Sequence, residues 1–403
     1  MKITLEDIKK AESVVRPYIH HTLLEFSSSC TKAAGFDVLL KFENLQVTGS
    51  FKIRGAANKL SHLSEAEKKA GVIAASAGNH AQGVACMAQK LGMKAIIVMP
   101  EQSPLIKVVS TRRWGADVVL KGANYDEAYA YALELQKKQG YVFVHPYEDE
   151  LIMAGQGTIA LELYEDDPEI DTVYVAIGGG GLISGVATGL RALNPKVRVI
   201  GVQAAGADSM ARSFKAKKVE LVPQTVSTIA DGIAVKKPSA VMYQEFISRL
   251  CDDVVTVTDD EIARAIVFLM ERAKTVVEGA GAATLAAVMN HKSSIKSKKA
   301  AIILGGGNID LNMVERIIDR GLQVAGRIAK IQLAAPDVPG TLNRLTSLVA
   351  EKKANILNIN HSRVSDRIGL RETLIEFTLE TTGPEQIAEI KKGFQALGLT
   401  VIE

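Results

Sequence analysis

The sequence predicts a fold of the α/β class, followed by a smaller module that contains both helices and strands. Over the first three quarters of the chain, short and almost continuously apolar runs alternate with segments of helical periodicity. Such runs are typical of a mostly parallel sheet that helices cover on both faces. Beyond a boundary at about 321–326, the order changes to strand–helix–strand–strand–helix–strand, which is the ferredoxin-like arrangement. Because 403 residues with 47% hydrophobic content can bury more than one core, we expect domains at 1–325 and 326–403.

Each element is predicted from its apolar periodicity and from the signals at its ends. The predicted strands of the first domain lie at 38–43, 71–75, 95–99, 117–120, 142–145, 172–177, 198–203 and 300–304. The predicted helices run from an N-cap at Thr4 to about residue 15, and then over 25–34, 56 onward, 80–91, 104–114, 125–139, 238–251 and 259–272. In the second domain, the predicted strands are 329–334, 356–364, 373–380 and 399–402, with helices at 340–351 and 384–397.

Composition and charge argue against several classes of function. The 48 basic and 45 acidic residues give a formal net charge of +3, and no arginine block with interleaved aromatics suggests nucleic-acid binding. Cys30, Cys86 and Cys251 lie far apart without metal-ligand spacing, which favours reduced thiols and no metal site. The N-terminus lacks the apolar region of a signal peptide, and four glycines interrupt the uncharged stretch 172–190. We therefore expect a cytoplasmic protein that does not enter a membrane.

A lysine between an aromatic and a β-branched residue stands at the centre of the stretch Thr48-Gly49-Ser50-Phe51-Lys52-Ile53-Arg54-Gly55-Ala56. The preceding strand and the following helix place Lys52 where a strand-exit turn opens a helix. A half-buried ammonium at that point loses hydration, which lowers its pKa and supplies neutral amine for Schiff-base chemistry. The alternative is a surface lysine at a helix start, and these nine residues alone do not decide between the two.

Two further loops follow strands and open helices. The first, Ser76-Ala77-Gly78-Asn79-His80, could bind a carboxylate with backbone amides, or could be an ordinary turn in which Asn79 caps a helix. The second, Gly178-Gly179-Gly180-Gly181-Leu182, forms an anion nest unobstructed by Cβ atoms, and the helix dipole reinforces it. A flexible loop is the alternative, but four glycines carry an entropic cost that phosphate binding would explain.

The order of these motifs resembles the threonine/serine dehydratase family of pyridoxal phosphate (PLP) enzymes of fold type II. Ser50 to Gly55 is similar to the cofactor-lysine motif, 76–80 to the substrate-carboxylate loop and 178–182 to the phosphate loop. The resemblance implies two α/β lobes around PLP, with the smaller lobe at about 46–147. It also implies that this protein forms a homodimer or a homotetramer.

The resemblance implies a role for each matching position. Lys52 would be the Schiff-base lysine and the catalytic residue, with Phe51 beside the cofactor ring and Asn79 at the 3-hydroxyl. Glu278, in Val277-Glu278-Gly279-Ala280-Gly281, would lie near the cofactor, although a helix-capping carboxylate is an equal alternative. Gly305 stands where the family usually has a serine that contacts the pyridine nitrogen, so the sequence departs from the pattern there.

The second domain resembles an ACT regulatory domain through Pro336-Asp337-Val338-Pro339-Gly340-Thr341-Leu342 and Asn355-Ile356. The resemblance implies that Asp337, Val338, Pro339, Gly340 and Asn355 bind an amino-acid effector, for which isoleucine or valine is possible. Asp337 before a helix N-terminus offers a partner for an amine. The alternative is a module that only dimerises the enzyme.

The resemblance implies a lyase that converts L-threonine to 2-oxobutanoate and ammonia, with serine as a slower substrate and isoleucine biosynthesis as its setting. Serine racemases are close relatives with a serine where Ala77 stands, and with metal-binding acids where Gln203 and Ser209 stand, so dehydration is favoured. A catabolic dehydratase, a β-replacement enzyme and a non-catalytic amino-acid sensor remain as alternatives.

Overall fold

The structure, a computed structural model, describes residues 1–220 and 225–402. The chain divides into two compact units, Met1–Leu311 and Asn312–Glu403. Among the described residues, no helix combines the length and the apolar character that crossing a membrane requires.

The first unit contains two sheets. Its strands are β1 (Leu24–Phe26), β2 (Asp37–Lys41), β3 (Val72–Ala75), β4 (Ala95–Met99), β5 (Asp117–Leu120), β6 (Val142–Phe143), β7 (Thr172–Ala176), β8 (Arg198–Ala204), β9 (Asp253–Val257) and β10 (Lys299–Ile303). The larger sheet has the order β1-β2-β10-β7-β8-β9, in which only β1 runs antiparallel to its neighbour. The smaller sheet, β5-β4-β3-β6, is entirely parallel.

Helices surround both sheets. They are α1 (Leu5–Val15), α2 (Ser28–Ala34), α3 (Lys52–Ser61), α4 (Glu65–Ala70), α5 (Asn79–Lys90), α6 (Leu105–Arg112), α7 (Tyr125–Gln139), α8 (Glu150–Asp166), α9 (Gly181–Leu193), α10 (Ser209–Ala216), α11 (Ala240–Met242), α12 (Ser248–Leu250), α13 (Asp259–Phe268) and α14 (Gly279–Met289). Because helices cover both faces, every residue of β4 and β7 is buried. The predicted α/β class with two lobes is confirmed.

Helices α8 and α9 pack closely through small residues. A methyl group added at Gly185 would overlap the backbone of Met153, and one added at Gly157 would lie 3.0 Å from the Gly185 carbonyl oxygen. Helix α8 is absent from the sequence prediction because apolar residues occur on all of its sides, and a buried helix of this kind shows no amphipathic periodicity.

Four predicted helices are wrong in detail, since residues 25–26 belong to β1 and a π-helical turn over Leu269–Ala273 follows α13. Helix α3 begins at Lys52 rather than at Ala56, so the lysine occupies the first helical position. The segment 238–251 is not one continuous helix, because a π-helical turn over Tyr243–Ile247 separates α11 from α12. The predicted strand 142–145 is also shorter, and pairs only over Val142–Phe143.

The second unit begins with a helix and continues as a ferredoxin-like module. Its elements are α15 (Leu311–Val324), β11 (Ile328–Pro336), α16 (Thr341–Glu351), β12 (Asn355–Ser362), β13 (Glu372–Glu380), α17 (Pro384–Ala396) and β14 (Thr400–Ile402). All pairs in the sheet β12-β13-β11-β14 are antiparallel. The rings of Phe377 and Phe394 stack at 5.9 Å within its core. The predicted order of elements is confirmed.

Candidate active site

Lys52 lies at the start of α3 with its side chain half-buried. Its Nζ donates a hydrogen bond of 3.0 Å to the carbonyl oxygen of Pro146 and lies 5.3 Å from the centre of the Phe51 ring. Burial lowers the pKa of the Lys52 amine to about 8, although the negative charge of Glu278 opposes this shift. Among the described residues the structure records no ion pair for Lys52. The amine is therefore desolvated and partly neutral near physiological pH.

The loop before Lys52 is held against the triglycine loop that follows β10, Gly305-Gly306-Gly307. The Phe51 amide donates to the Gly305 carbonyl at 3.1 Å, and the Gly307 amide donates to the Gly49 carbonyl at 2.9 Å. A methyl group at Gly305 would lie 3.4 Å from the Phe51 ring, which is ordinary van der Waals contact. The site therefore has room for a small side chain where Gly305 stands.

The tetraglycine loop connects β7 to α9. Gly180, the N-cap residue of α9, has a φ of +103°, a conformation that favours glycine. A methyl group at Gly179 would overlap the ring of Tyr147, and one at Gly181 would lie 2.8 Å from Tyr147 Cβ. The amides of the first turn of a helix have no partner within the helix, so they can bind an anion at this point.

The segment His145-Pro146-Tyr147 joins the lysine to the glycine loop, and sequence reasoning missed it. Pro146 accepts the hydrogen bond from Lys52, while Tyr147 packs against Gly179 and Gly181. The rings of His145 and Tyr147 meet edge to face at 4.7 Å. The only available signal was its position after the apolar run at 142–144, where a parallel strand delivers a loop to the sheet edge.

Asn79 and Glu278 meet beside the lysine. Asn79 Nδ2 donates to Glu278 Oε1 at 2.6 Å, and Asn79 Oδ1 accepts from Asn308 Nδ2 at 2.8 Å. Burial raises the pKa of the Glu278 carboxyl to about 7, and the negative charge of Asp231 adds to the shift. A buried carboxyl with a pKa near neutrality is typical of functional sites.

The remaining residues of the 76–80 loop lie at the start of α5. Ser76 Oγ accepts from the Gly78 amide at 3.2 Å, and Ala77 is half-buried against the core of the smaller lobe. His80 is buried, and its Nε2 lies 2.9 Å from the Val144 carbonyl. Burial lowers the pKa of His80 to about 3, and the positive charge of Lys52 acts in the same direction. His80 is therefore neutral and donates Nε2–H to Val144.

Arg54, two residues after the lysine, is also buried, but carboxylates surround it. Its guanidinium makes two hydrogen bonds to Glu43, at 2.8 and 2.7 Å, and two to Glu162, at 2.6 and 2.9 Å. Lys41 Nζ lies 2.7 Å from the same Glu162. Although burial alone would lower it, the charges of Glu43 and Glu162 raise the pKa of the guanidinium. This network anchors the first turn of α3 to α8.

In the second unit, the predicted effector residues are partly engaged. Asp337 accepts a hydrogen bond of 2.7 Å from Arg363 Nε, and Val338 is 58% exposed. Gly340 is the N-cap of α16 with a φ of +90°, and Asn355 Nδ2 donates to Glu380 at 3.2 Å. Among residues 1–220 and 225–402, no cluster of three or more histidines, cysteines or acids is arranged to hold a metal ion.

Comparison with known proteins identifies the class. The family model described as "Pyridoxal-phosphate dependent enzyme" matches residues 15–306, and the ACT domain model matches residues 330–396. The L-threonine ammonia-lyase of Thermotoga maritima is 49% identical over 399 residues, which cover 99% of each chain. That of Geobacter sulfurreducens is 46% identical over 394 residues, 98% of each chain. Maize serine racemase superposes with a TM-score of 0.75 and 35% identity over 80% of this chain and 99% of its own.

The chain therefore belongs to the pyridoxal-phosphate-dependent enzyme family, and its C-terminal unit carries an ACT domain. The cofactor of this family is pyridoxal phosphate. The residues present fit that group, since the site contains both a desolvated amine on Lys52 and a loop without Cβ atoms at a helix N-terminus. The amine suits an aldehyde, and the helix N-terminus suits a phosphate dianion.

Proposed function

We propose that this protein uses pyridoxal phosphate to convert L-threonine to 2-oxobutanoate and ammonia, with Lys52 as the catalytic residue. The observation that carries the proposal is the Lys52 amine, which is desolvated and bound to the carbonyl of Pro146, whose neighbour Tyr147 packs against the tetraglycine loop. The relatives at 46–49% identity over the whole chain are named L-threonine ammonia-lyases, which supports the choice of substrate.

The cofactor would be held at both of its ends. The backbone amides of the tetraglycine loop and of Leu182 would bind its phosphate, with the N-terminal dipole of α9 adding to the attraction. Phe51, Asn79, Glu278 and Gly305 would surround its ring. When bound, pyridoxal phosphate supplies an electron sink for the charge that develops at the substrate Cα.

Lys52 would carry the cofactor and then act as the base. The Lys52 amine, when free, would accept the Cα proton, and its lowered pKa favours this role near neutral pH. The Cα–H and Cβ–O bonds would break, and the hydroxyl would leave as water with one proton, which balances the proton that Lys52 accepts from Cα. The released enamine takes up one water and hydrolyses to 2-oxobutanoate and ammonia, so that the atoms of threonine balance.

The substrate carboxylate would bind at the N-terminus of α5. Ser76, Ala77, Gly78, Asn79 and His80 form this loop, and Gly78 leaves the backbone accessible because it carries no side chain. L-Serine would react more slowly, since one methyl group contributes about 1–3 kcal/mol of discrimination.

Racemisation has less support from this site, even though a serine racemase shares the fold. Ala77 carries no group that can transfer a proton to the opposite face of the substrate. Gln203 Oε1 already accepts from the Met210 and Ala211 amides at 2.9 and 2.8 Å, so this amide caps α10. Ser209 Oγ lies 3.5 Å from the Val235 carbonyl. Divalent cations prefer carboxylate oxygens, which these two positions lack.

The ACT domain would regulate the enzyme by binding an amino acid such as isoleucine or valine. Asp337, Val338, Pro339, Gly340 and Asn355 would form the effector site, with the Asp337 carboxylate as the partner of the effector amine. Binding would then compete with the Arg363 contact of Asp337. Inhibition by isoleucine would place the enzyme at the start of isoleucine biosynthesis. The enzyme itself would be a homodimer or a homotetramer.

The test is 2-oxo-acid release by the purified, cofactor-loaded protein from L-threonine and L-serine, with and without isoleucine. We expect 2-oxobutanoate formation that Lys52→Ala abolishes and that the exposed control Lys138→Ala leaves unchanged. A protein that binds the cofactor but releases no 2-oxo acid would contradict the proposal and would favour β-replacement or sensing.

A further inference from the structure

The chain contains a short relay of side-chain amides behind the candidate active site. Asn308 Nδ2 donates to Asn79 Oδ1 at 2.8 Å, and Asn79 Nδ2 donates to Glu278 Oε1 at 2.6 Å. Asn308 Nδ2 also donates to the backbone carbonyl of Thr48 at 2.8 Å. The relay therefore runs from the loop before Lys52 to the buried carboxyl.

The Thr48 carbonyl sets the polarity of the whole relay. A side-chain amide can be turned so that its oxygen and nitrogen exchange places, and its orientation follows from its partners. A backbone carbonyl only accepts hydrogen bonds, so Asn308 must present its NH2 group to Thr48. The same NH2 group also donates to Asn79, so Asn79 must accept this hydrogen bond with its side-chain oxygen. Its nitrogen then points towards Glu278.

Two glycines hold this arrangement in place. A Cβ atom at Gly49 would lie 2.6 Å from Asn308 Oδ1, so the backbone of that loop packs directly on the amide. A Cβ atom at Gly306 would overlap Glu278 Oε1 and lie 3.0 Å from Asn79 Nδ2. The backbones of both glycines therefore pack closely against the side chains of the relay, and this packing restricts the rotation of those side chains.

We propose that Asn308 is a positioning residue that fixes the Asn79 amide with its donor end towards Glu278 and its acceptor end away from it. The inference rests on the proposed function only for the role of Asn79 at the cofactor. A donor fixed in this way stabilises the carboxylate form of Glu278, because a charged carboxylate oxygen accepts an N–H hydrogen bond more strongly than the neutral oxygen of a protonated carboxyl does. Without Asn308, the Asn79 amide can turn over and accept from the protonated form.

The surroundings make this effect measurable. The charged groups that act on Glu278 are Asp231, which favours its protonated form, and Lys107 and Lys52, which favour the carboxylate. Lys107 forms an ion pair with Asp231, so these two charges offset each other. Because burial already raises the pKa of Glu278 to about 7, a further rise would change its charge within the physiological range.

The chain offers a matched control in Asn44. Its Nδ2 donates to Thr275 Oγ1 at 2.7 Å and to the Val276 carbonyl at 3.0 Å, and its Cβ would lie 3.3 Å from a methyl group at Gly307. Asn44 therefore supports the same triglycine loop from another side. It makes no hydrogen bond to Asn79, so its loss should weaken the loop without changing the polarity of the relay.

The experiment measures the pKa of Glu278 by carbon-13 NMR on the full-length protein labelled at its glutamate carboxyl groups. The Glu278 signal is identified by its loss in Glu278→Gln. The titration is carried out for wild type, Asn308→Ala, the near-isosteric Asn308→Leu and Asn44→Ala, with and without bound cofactor. A variant that fails to load the cofactor thus still gives a result, and so does a protein without lyase activity.

We expect both Asn308 variants to raise the pKa of Glu278 by about one pH unit, while Asn44→Ala leaves it at the wild-type value. The pH dependence of kcat/KM should move in the same direction in the Asn308 variants. A Glu278 titration that is equal in wild type, Asn44→Ala and either folded Asn308 variant would overturn the proposal, whatever the effect on stability. An absence of lyase activity in the wild type would instead contradict the proposed function, and the titration would still test the role of Asn308.

Discussion

Two cations, the half-buried Lys52 and the fully buried Arg54, stand two residues apart on the first turn of α3 and have opposite surroundings. The Arg54 guanidinium is held by the carboxylates of Glu43 and Glu162, whereas the Lys52 amine contacts the backbone carbonyl of Pro146. Loss of hydration acts on both cations, yet their pKa shifts are opposite, upward for the paired arginine and downward for the lysine.

The difference separates a structural cation from a chemically prepared one. A buried charge with hydrogen-bonded counter-ions keeps its charge and fixes the chain, while a buried amine without them loses its proton more easily. Arg54 ties the helix to α8, and this rigid anchor sets the position of Lys52. The motif thus combines an anchor and a reactive group within one turn.

The largest expected effect on activity comes from Lys52→Ala. Removing the proposed base and cofactor attachment point should lower kcat/KM for threonine by at least about 1,000-fold. Near pH 10.5, where the folded-state amine is neutral, the free energy of unfolding should change by about 1 kcal/mol or less, because among the described residues the amine has one hydrogen bond to lose. Steady-state kinetics and urea denaturation measure the two quantities, and a large loss of stability would show that Lys52 is also an anchor.

The largest expected effect on stability comes from Arg54→Met. Loss of the guanidinium leaves Glu43 buried without its counter-ion, which should lower the free energy of unfolding by about 3–5 kcal/mol in urea denaturation. Glu43→Gln, which keeps an oxygen acceptor, serves as a milder second variant. The exposed pair of Lys138 with Glu134 is the control, and Lys138→Met should show no measurable change. An Arg54 variant as stable as that control would remove the distinction between the two cations.

A smaller effect is expected from methyl groups added in the glycine loops. In Gly179→Ala the new methyl group must displace the Tyr147 ring, whereas in Gly305→Ala it makes an ordinary contact with Phe51 at 3.4 Å. We expect the first variant to weaken cofactor binding by about 10- to 100-fold, since overpacking costs about 1–3 kcal/mol. Gly305→Ala should bind as wild type does. Equal dissociation constants, measured by fluorescence titration, would show that the loop is not the phosphate site.

A pH-dependent difference in stability is expected between the cofactor-free wild type and Lys52→Met. The folded-state pKa of Lys52 is about 8, below the ordinary value of 10.5. Between these values the unfolded chain binds more protons than the folded one, so the stability of the wild type rises with pH. Urea denaturation at several pH values should therefore show that the free energy of unfolding of the wild type, relative to that of Lys52→Met, increases from about pH 8 to 10.5. A difference that stays constant with pH would contradict the depressed pKa.

The sequence predicted the loops of the site better than the contacts between them. The lysine motif, the 76–80 loop and the tetraglycine loop could be located because each follows an apolar strand, and parallel strands deliver such loops to one edge of a sheet. The fold class followed from the same alternation. The tetraglycine loop, in which the structure leaves no room for side chains at Gly179 and Gly181, is visible in the sequence as a run of four glycines.

The partners of these residues could not be predicted because they lie far apart in the chain. Arg54 and Glu162 are separated by 108 positions, and Asn308 and Asn79 by 229. No local periodicity records such a contact. Helix α8, which carries Glu162, was missed for a related reason, since it is apolar on all sides. The predicted start of α3 lies four residues late because its N-cap residue, Phe51, offers no capping side chain.

Borohydride reduction of the cofactor-loaded protein, followed by peptide mapping, tests most directly whether Lys52 is the reactive amine. Hydride reduces the carbon–nitrogen double bond between the cofactor and a lysine to a stable amine, so the modified residue can be located by mass spectrometry. We predict one modified peptide, with the cofactor on Lys52 and no modification in Lys52→Ala. Modification of a different lysine, or of none in a protein that still binds the cofactor, would contradict the account.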